Sequence, residues 1–253
     1  MALSNQSHFD ILHVNSIDSK GARWAKFPQV RQTLEHWKLL KEGSSKQAVG
    51  GELGLKVRKL DLPNKKPLPA MLEYFEREEC DLIVLSTEGR SGLPRWLKSS
   101  ISESLARSAG IATLFVPQDS HGFVSGETGE VDLKRVLIPV DHKPNPQAAI
   151  ESVGGFLRSI DAKAARLDVF YVGDTSSMPE VEQPSDIEAP FEQIVRRGSP
   201  VDEILKMAKG QRTDLIVMAT EGHNGFLDAL RGSTTEQVLR QSPCPVLAIP
   251  PGT

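Results

Sequence analysis

The sequence predicts an α/β protein built from two tandem copies of a doubly wound parallel-sheet unit. Three observations lead there: an internal repeat, continuous apolar runs with the length of buried strands, and helix-start signals directly after glycine-bearing loops. Residues 81–117 align without a gap on residues 214–250 at an offset of 133, with 14 of 37 positions identical. A match that keeps register through strand, loop, helix and second strand marks a duplication.

The elements follow in order. Leu82-Ile83-Val84-Leu85 and Leu215-Ile216-Val217-Met218 are apolar without alternation, as in strands covered on both faces of a parallel sheet. A loop carrying Gly89 or Gly222 comes next, then a helix opened by Ser100-x-x-Glu103 or Ser233-x-x-Glu236. That spacing is a capping box. A short strand closes each copy, at 113–116 and 246–249. A helix precedes each block, with Pro67 or Pro200 in its first turn, where a missing N–H does no harm. Met71, Leu72 and Phe75 mark its inner face in the first copy, and Ile204, Leu205 and Ala208 do so in the second.

Upstream in the second copy, Arg135 to Asp141 reads as a strand running into a polar loop. A helix over about 146–160 and a strand over 166–172 follow, and the acidic, proline-rich stretch 173–190 reads as a surface loop. The first copy starts at His8–Val14, the counterpart of the 167–172 strand, and has no equivalent of the first strand and helix. It carries an insert at 18–52 with Trp24, a helix from Gln29 to Leu40, and Gly50-Gly51. The organisation is therefore a degenerate unit at 1–117, a linker at 118–132 and a complete unit at 133–253.

Bulk properties exclude several classes. Hydrophobic residues make up 39% and charged residues 25%, ordinary for a globular chain. A net charge of −3 gives no basic excess for nucleic acid. No apolar run approaches the roughly 18 residues of a membrane span, and the N-terminus has no signal-peptide pattern. Cys80 and Cys244 stand apart with no metal spacing, as reduced thiols do. The expected location is the cytoplasm.

A glycine-bearing turn that runs into a helix N-terminus offers unpaired N–H groups and a positive dipole end, which suits an anion. Gly222 and Gly232 allow close approach, Ser233 offers a hydroxyl and an N–H, and Thr234 adds a donor. His223 and Arg231 could lend charge or be solvated surface. Taken singly, the glycines are explained as turn residues, Asp141 as a loop cap and Ser233 with Glu236 as a helix cap. The joint pattern points to a nucleotide.

On Ala219-x2-Gly222-x9-Gly232-Ser233, Pro139-Val140-Asp141 and Pro243-Cys244-Pro245-Val246-Leu247, the chain resembles the universal stress protein family in its two-domain form. The family's ATP-binding members carry G-x2-G-x9-G-[ST], so Ala219 replaces one glycine. The resemblance implies an adenine nucleotide alpha hydrolase-like sheet of order 3-2-1-4-5, with pairing between last strands 113–116 and 246–249. It implies ATP, or another adenine nucleotide such as ADP or AMP, in the second copy, with Mg2+ only as part of the nucleotide. Pro139, Val140 and Met218, with Ala219, would wall the base. Asp141 would accept from adenine or ribose, and the Val172 backbone would meet the adenine edge. Gly222, Gly232, Ser233 and Thr234 would hold phosphates.

The first copy reads Ser86-x2-Gly89-x9-Ser99-Ser100 and has nothing in the place of Asp141, so it is expected to serve structure or interaction. Without its first strand, its second and fourth strands would pair directly, or an edge would be completed by another subunit or segment. The leading function is a stress-response regulator that binds a nucleotide and pairs with itself or another protein, not an enzyme. The alternatives are slow ATP hydrolysis or phosphoryl transfer, and a nucleotide-free scaffold. Glu221 and Asp228 lie near the loop with nothing to position them, and the Walker lysine motif and SGGxDS signature are absent.

Overall fold

A computed structural model describes residues 7–15, 29–63, 67–87, 110–118, 120–162, 166–185, 187–220 and 233–250. The chain forms two compact units, Met1–Glu78 with Val124–Val131, and Glu79–Phe123 with Asp132–Thr253. The sequence boundaries 1–117, 118–132 and 133–253 follow the duplication, whereas the contacts group the chain differently.

In the first unit, strands β1 (His8–Asn15) and β2 (Lys56–Pro63) form a parallel pair, with Leu12 opposite Leu60. Helix α1 (Val30–His36) is shorter than the expected 29–40. It stops at Trp37 because Lys38 takes the left-handed conformation at φ 60°. Helix α2 (Lys46–Leu53) contains Gly50 and Gly51 and closes on Gly54 at φ 63°. Leu34, Leu40, Val49 and Leu55 form a small buried core. The indole N–H of Trp37 donates to the Gly126 carbonyl at 3.0 Å, so part of the expected linker is docked in this unit.

Helix α3 (Pro67–Arg77) is tied to β1 and β2 by polar groups. Arg58 donates from Nε to Asp10 Oδ1 at 2.7 Å and from Nη2 to Glu78 Oε2 at 2.7 Å. The Tyr74 hydroxyl donates to Asp10 Oδ2. The Arg58 guanidinium holds the Asp10 carboxyl below its usual range, and burial raises the Tyr74 phenol. A depressed carboxyl contributes stability that is present near neutral pH and lost as pH falls through the folded value.

The second unit holds a seven-stranded sheet of order β3-β4-β9-β8-β5-β6-β7. Its strands are β3 (Ile83–Thr87), β4 (Thr113–Pro117), β5 (Arg135–Val140), β6 (Arg166–Val172), β7 (Phe191–Arg196), β8 (Leu215–Ala219) and β9 (Val246–Ile249). Helices α4 (Pro146–Ser159), α5 (Pro200–Gly210) and α6 (Thr234–Gln241) complete it. From β5 to β9 the order is the 3-2-1-4-5 of a doubly wound sheet, and every pairing there is parallel. The two last strands join antiparallel, with Leu114 opposite Leu247.

Side-chain alternation sends Val136, Ile138, Leu215 and Val217 to the face covered by α4, where Ile150 and Val153 are fully buried. Leu137, Phe170, Ile216 and Met218 go to the opposite face, under Ile204 and Leu205 of α5 and Val238 of α6. Asp214 accepts from the N–H groups of Lys134 and Arg135 at 3.0 and 2.9 Å, fastening the start of β8 to β5.

The missing first strand of the first copy has a definite outcome among the described residues. β1 and β3 do not pair directly; they belong to separate sheets. Val84 of β3 is 55% exposed, whereas its counterpart Val217 is fully buried. The 173–190 stretch is only partly a surface loop, since Val181 and Ala189 are buried. The capping box at Ser100 and Glu103 lies outside the described residues, as do Trp24, Gly89 and Ser99.

Neither Cys80 nor Cys244 is joined in a disulfide. Burial pushes the Cys244 thiol up to about 12. An unfolded thiol ionises near about 8.5, so this burial stabilises below that pH and its contribution is lost as pH rises toward the folded value. With a thiol reagent at neutral pH, Cys80 should react within minutes and Cys244 only on unfolding. Two fast thiols in the native protein would contradict the packing around Cys244.

Candidate functional site

The strand connections reverse direction between β5 and β8: from β5 the chain moves toward β6, and from β8 toward β9. A doubly wound sheet opens a crevice at the carboxyl ends of the strands beside such a switch. Here the crevice is a cleft of about 130 Å³. Pro139 and Val140 line it from β5, Asp141 from just past that strand's end, Val172 from β6, Met218 and Ala219 from β8, and Thr234 from α6. Gly222 and Gly232, with His223, Arg231, Glu221 and Asp228, lie outside the described residues.

Ser233 is the N-cap of α6, and its hydroxyl accepts the Glu236 N–H at 3.2 Å. Accepting occupies a lone pair and leaves the hydroxyl proton for donation. The Glu236 carboxylate pairs with Arg240.

Among the described residues three helices begin at this end of the sheet, and they differ in what they offer. α4 and α5 start with Pro146 and Pro200, which line the cleft and have no N–H. α6 starts with Thr234 and Thr235, both in the cleft, whose N–H groups precede the first intrahelical bond. The first helical position therefore offers an N–H at α6 and none at α4 or α5, and the positive dipole end of α6 lies beside that donor.

The other wall is apolar: Phe170 at the floor, with Met218, Val172 and Ile204. Sequence reading missed Phe170, Ile204, Thr235, Lys143, Pro144, Pro146 and Pro200 as cleft residues. Phe170 had a signal, since it lies two residues before Val172 on the same face of one strand.

One acceptor arises from where β5 stops. Even-numbered residues of β6 turn their peptide groups toward β5, as the Arg166 N–H bond to the Lys134 carbonyl at 2.8 Å demonstrates. Continued along the ladder, the Val172 carbonyl would meet the N–H of His142. That N–H donates to Asp141 Oδ1 at 2.7 Å, beyond the end of β5 at Val140. On this pattern the His142 N–H is taken from the place opposite the Val172 carbonyl, at the end of β6 where Val172 and the exposed Asp141 both line the cleft.

The arrangement is that of a doubly wound α/β fold with an open crevice at its switch point and a donor-bearing helix start on one lip. The model of the universal stress protein family matches residues 1–117 and 182–250. The chain belongs to that family. Universal stress protein Rv2005c of Mycobacterium tuberculosis is 24% identical over 217 residues, covering 80% of this chain and 72% of its own length. Universal stress protein MJ0531 of Methanocaldococcus jannaschii is 42% identical over 52 residues, or 21% of this chain and 31% of its own. The crystal structure of a universal stress protein from Archaeoglobus fulgidus superposes with a TM-score of 0.64 at 18% identity, covering 97% of this chain and 88% of that one. At that identity the superposition speaks for the fold.

Proposed function

We propose that this protein binds an adenine nucleotide in the cleft at the carboxyl ends of β5, β6 and β8, and that it acts by binding rather than by turnover. The observation that carries the reading is the pairing of opposite chemistries across one small cleft. Apolar walls from Met218, Val172, Ile204 and Phe170 suit a flat ring. The Val172 carbonyl and Asp141 offer acceptors to an exocyclic amine or ribose hydroxyls. Thr234 and Thr235 offer donors to phosphoryl oxygens at a positive helix end. A volume of about 130 Å³ is below the roughly 300–1,000 Å³ of most small-molecule pockets. It suits the base, with ribose and phosphates extending along the lip toward Ser233.

Pro139, Val140, Asp141, Val172, Met218 and Ala219 are the proposed base and ribose contacts. Gly222, Gly232, Ser233 and Thr234 are the proposed phosphate contacts. Magnesium would enter only on the phosphates. Self-association and a cytoplasmic regulatory role belong to the same reading; among the described residues no helix is long and apolar enough to cross a membrane.

Calorimetric titration with ATP, ADP and AMP tests the reading. The expected result is saturable heat at one site per chain, with no ADP released from bound ATP over hours. No heat with any of the three would overturn binding. Steady turnover that is lost in Glu221→Gln while affinity is kept would favour an enzyme instead.

A further inference from the structure

We infer that Lys143 is the residue by which this cleft separates phosphorylated ligands from uncharged nucleosides, an inference that rests on the nucleotide reading above. Lys143 lines the cleft from the loop between β5 and α4. Its place in that loop is fixed from both sides. On one side the His142 ring meets Tyr171 edge-on at 6.2 Å and 76°, and the His142 N–H is held by Asp141. Tyr171 can take that position because residue 173 is glycine: a Cβ there would stand 2.6 Å from the tyrosine ring. On the other side, Asn145 Oδ1 accepts the Gln147 N–H at 3.0 Å and caps α4. Pro144, between them, has its φ fixed by its ring.

The ammonium on this anchored loop is exposed and makes no ion pair with the described residues. Two other lysines of the same unit are engaged, Lys134 with Asp132 at 2.8 Å and Lys206 with Glu203 at 3.4 Å; Lys209, like Lys143, makes no ion pair with the described residues, but it lies away from the cleft. Among the described residues that line the cleft, only Asp141 and Lys143 are charged. Without Lys143 the cleft would present a lone carboxylate, which repels a phosphate. With Lys143 that repulsion is offset and a charge-assisted contact is available. The base contacts and the α6 donors do not depend on this residue, so its removal should alter the response to ligand charge and leave recognition of the base intact.

The experiment is a calorimetric comparison of adenosine, AMP and ATP on the full chain and on Lys143→Met and Lys143→Arg. In Lys143→Met the preference for AMP over adenosine should fall about tenfold, while adenosine affinity stays within about twofold. Lys143→Arg should keep most of the preference, because the charge remains. A preference unchanged in Lys143→Met overturns the inference and leaves nucleotide binding standing. Equal affinity of the native chain for adenosine and AMP does the same. If neither ligand binds the native chain, the nucleotide reading falls and the inference goes with it.

Discussion

Phe170→Ala should lower the stability of the seven-stranded unit by about 3–5 kcal/mol. The side chain is 1% exposed and packs with Leu137, Ile194, Ile204 and Met218 between the sheet and helix α5. A strand with neighbours on both sides cannot move in to fill the void, so the lost contacts are replaced by a cavity. At roughly 2–4 °C per kcal/mol for a unit of this size, the melting point should drop by about 6–20 °C. Phe170 also floors the cleft. The new cavity therefore opens toward the proposed base, and nucleotide affinity should weaken in the same variant. Differential scanning calorimetry with and without AMP reads both effects. A loss below about 1 kcal/mol would mean that the region is not packed as described.

Ala219→Trp should abolish nucleotide binding and leave the fold intact. Ala219 ends β8, is only partly buried, and lines a cleft of about 130 Å³. An indole placed there fills the space proposed for the base. Its aromatic ring suits a strand end, and the side chain has a route to solvent. Affinity should fall at least about a hundredfold, which corresponds to about 2.7 kcal/mol, while the melting point shifts by only a few degrees. Unchanged affinity would place the ligand elsewhere. Lost affinity together with a collapsed melting point would leave the cleft unprobed by this variant; the smaller Ala219→Leu then separates occlusion from unfolding, because its binding loss should persist at a near-native melting point.

Legibility in the sequence followed burial. β5, β6, β8 and β9 were readable because strands covered on both faces need apolar residues at nearly every position, as in Leu215-Ile216-Val217-Met218. β7 was expected only from the order βαβ–loop–βαβαβ and not from its own residues, since an edge strand can carry Glu192 and Arg196 without cost. β2 escaped for a related reason: Lys56, Arg58 and Asp61 sit in a two-stranded sheet whose polar groups bond to neighbouring elements. The repeat located β3 and β4 correctly in the chain, but it carries no information about which sheet they would join. That depends on β5, to which β8 pairs and for which β3 has no counterpart.

The cleft divides in the same way. Pro139, Asp141 and Met218 could be named because a known pattern places them at strand ends. Pro146 and Pro200 were read as helix-start residues, which they are; only the fold brings those helix starts to the same lip. Lys143 has no periodic or motif signal at all. Its place comes from the Asn145 cap and the His142–Tyr171 contact on either side.

The most direct test is to label the five methionine methyl groups and record nuclear Overhauser contacts with bound AMP. Met218, packed at the end of β8 against the cleft, should show contacts from its methyl group to the purine ring protons. Those contacts should vanish in Ala219→Trp. Saturable AMP binding with no contact and no chemical-shift change at Met218 would contradict the placement of the base.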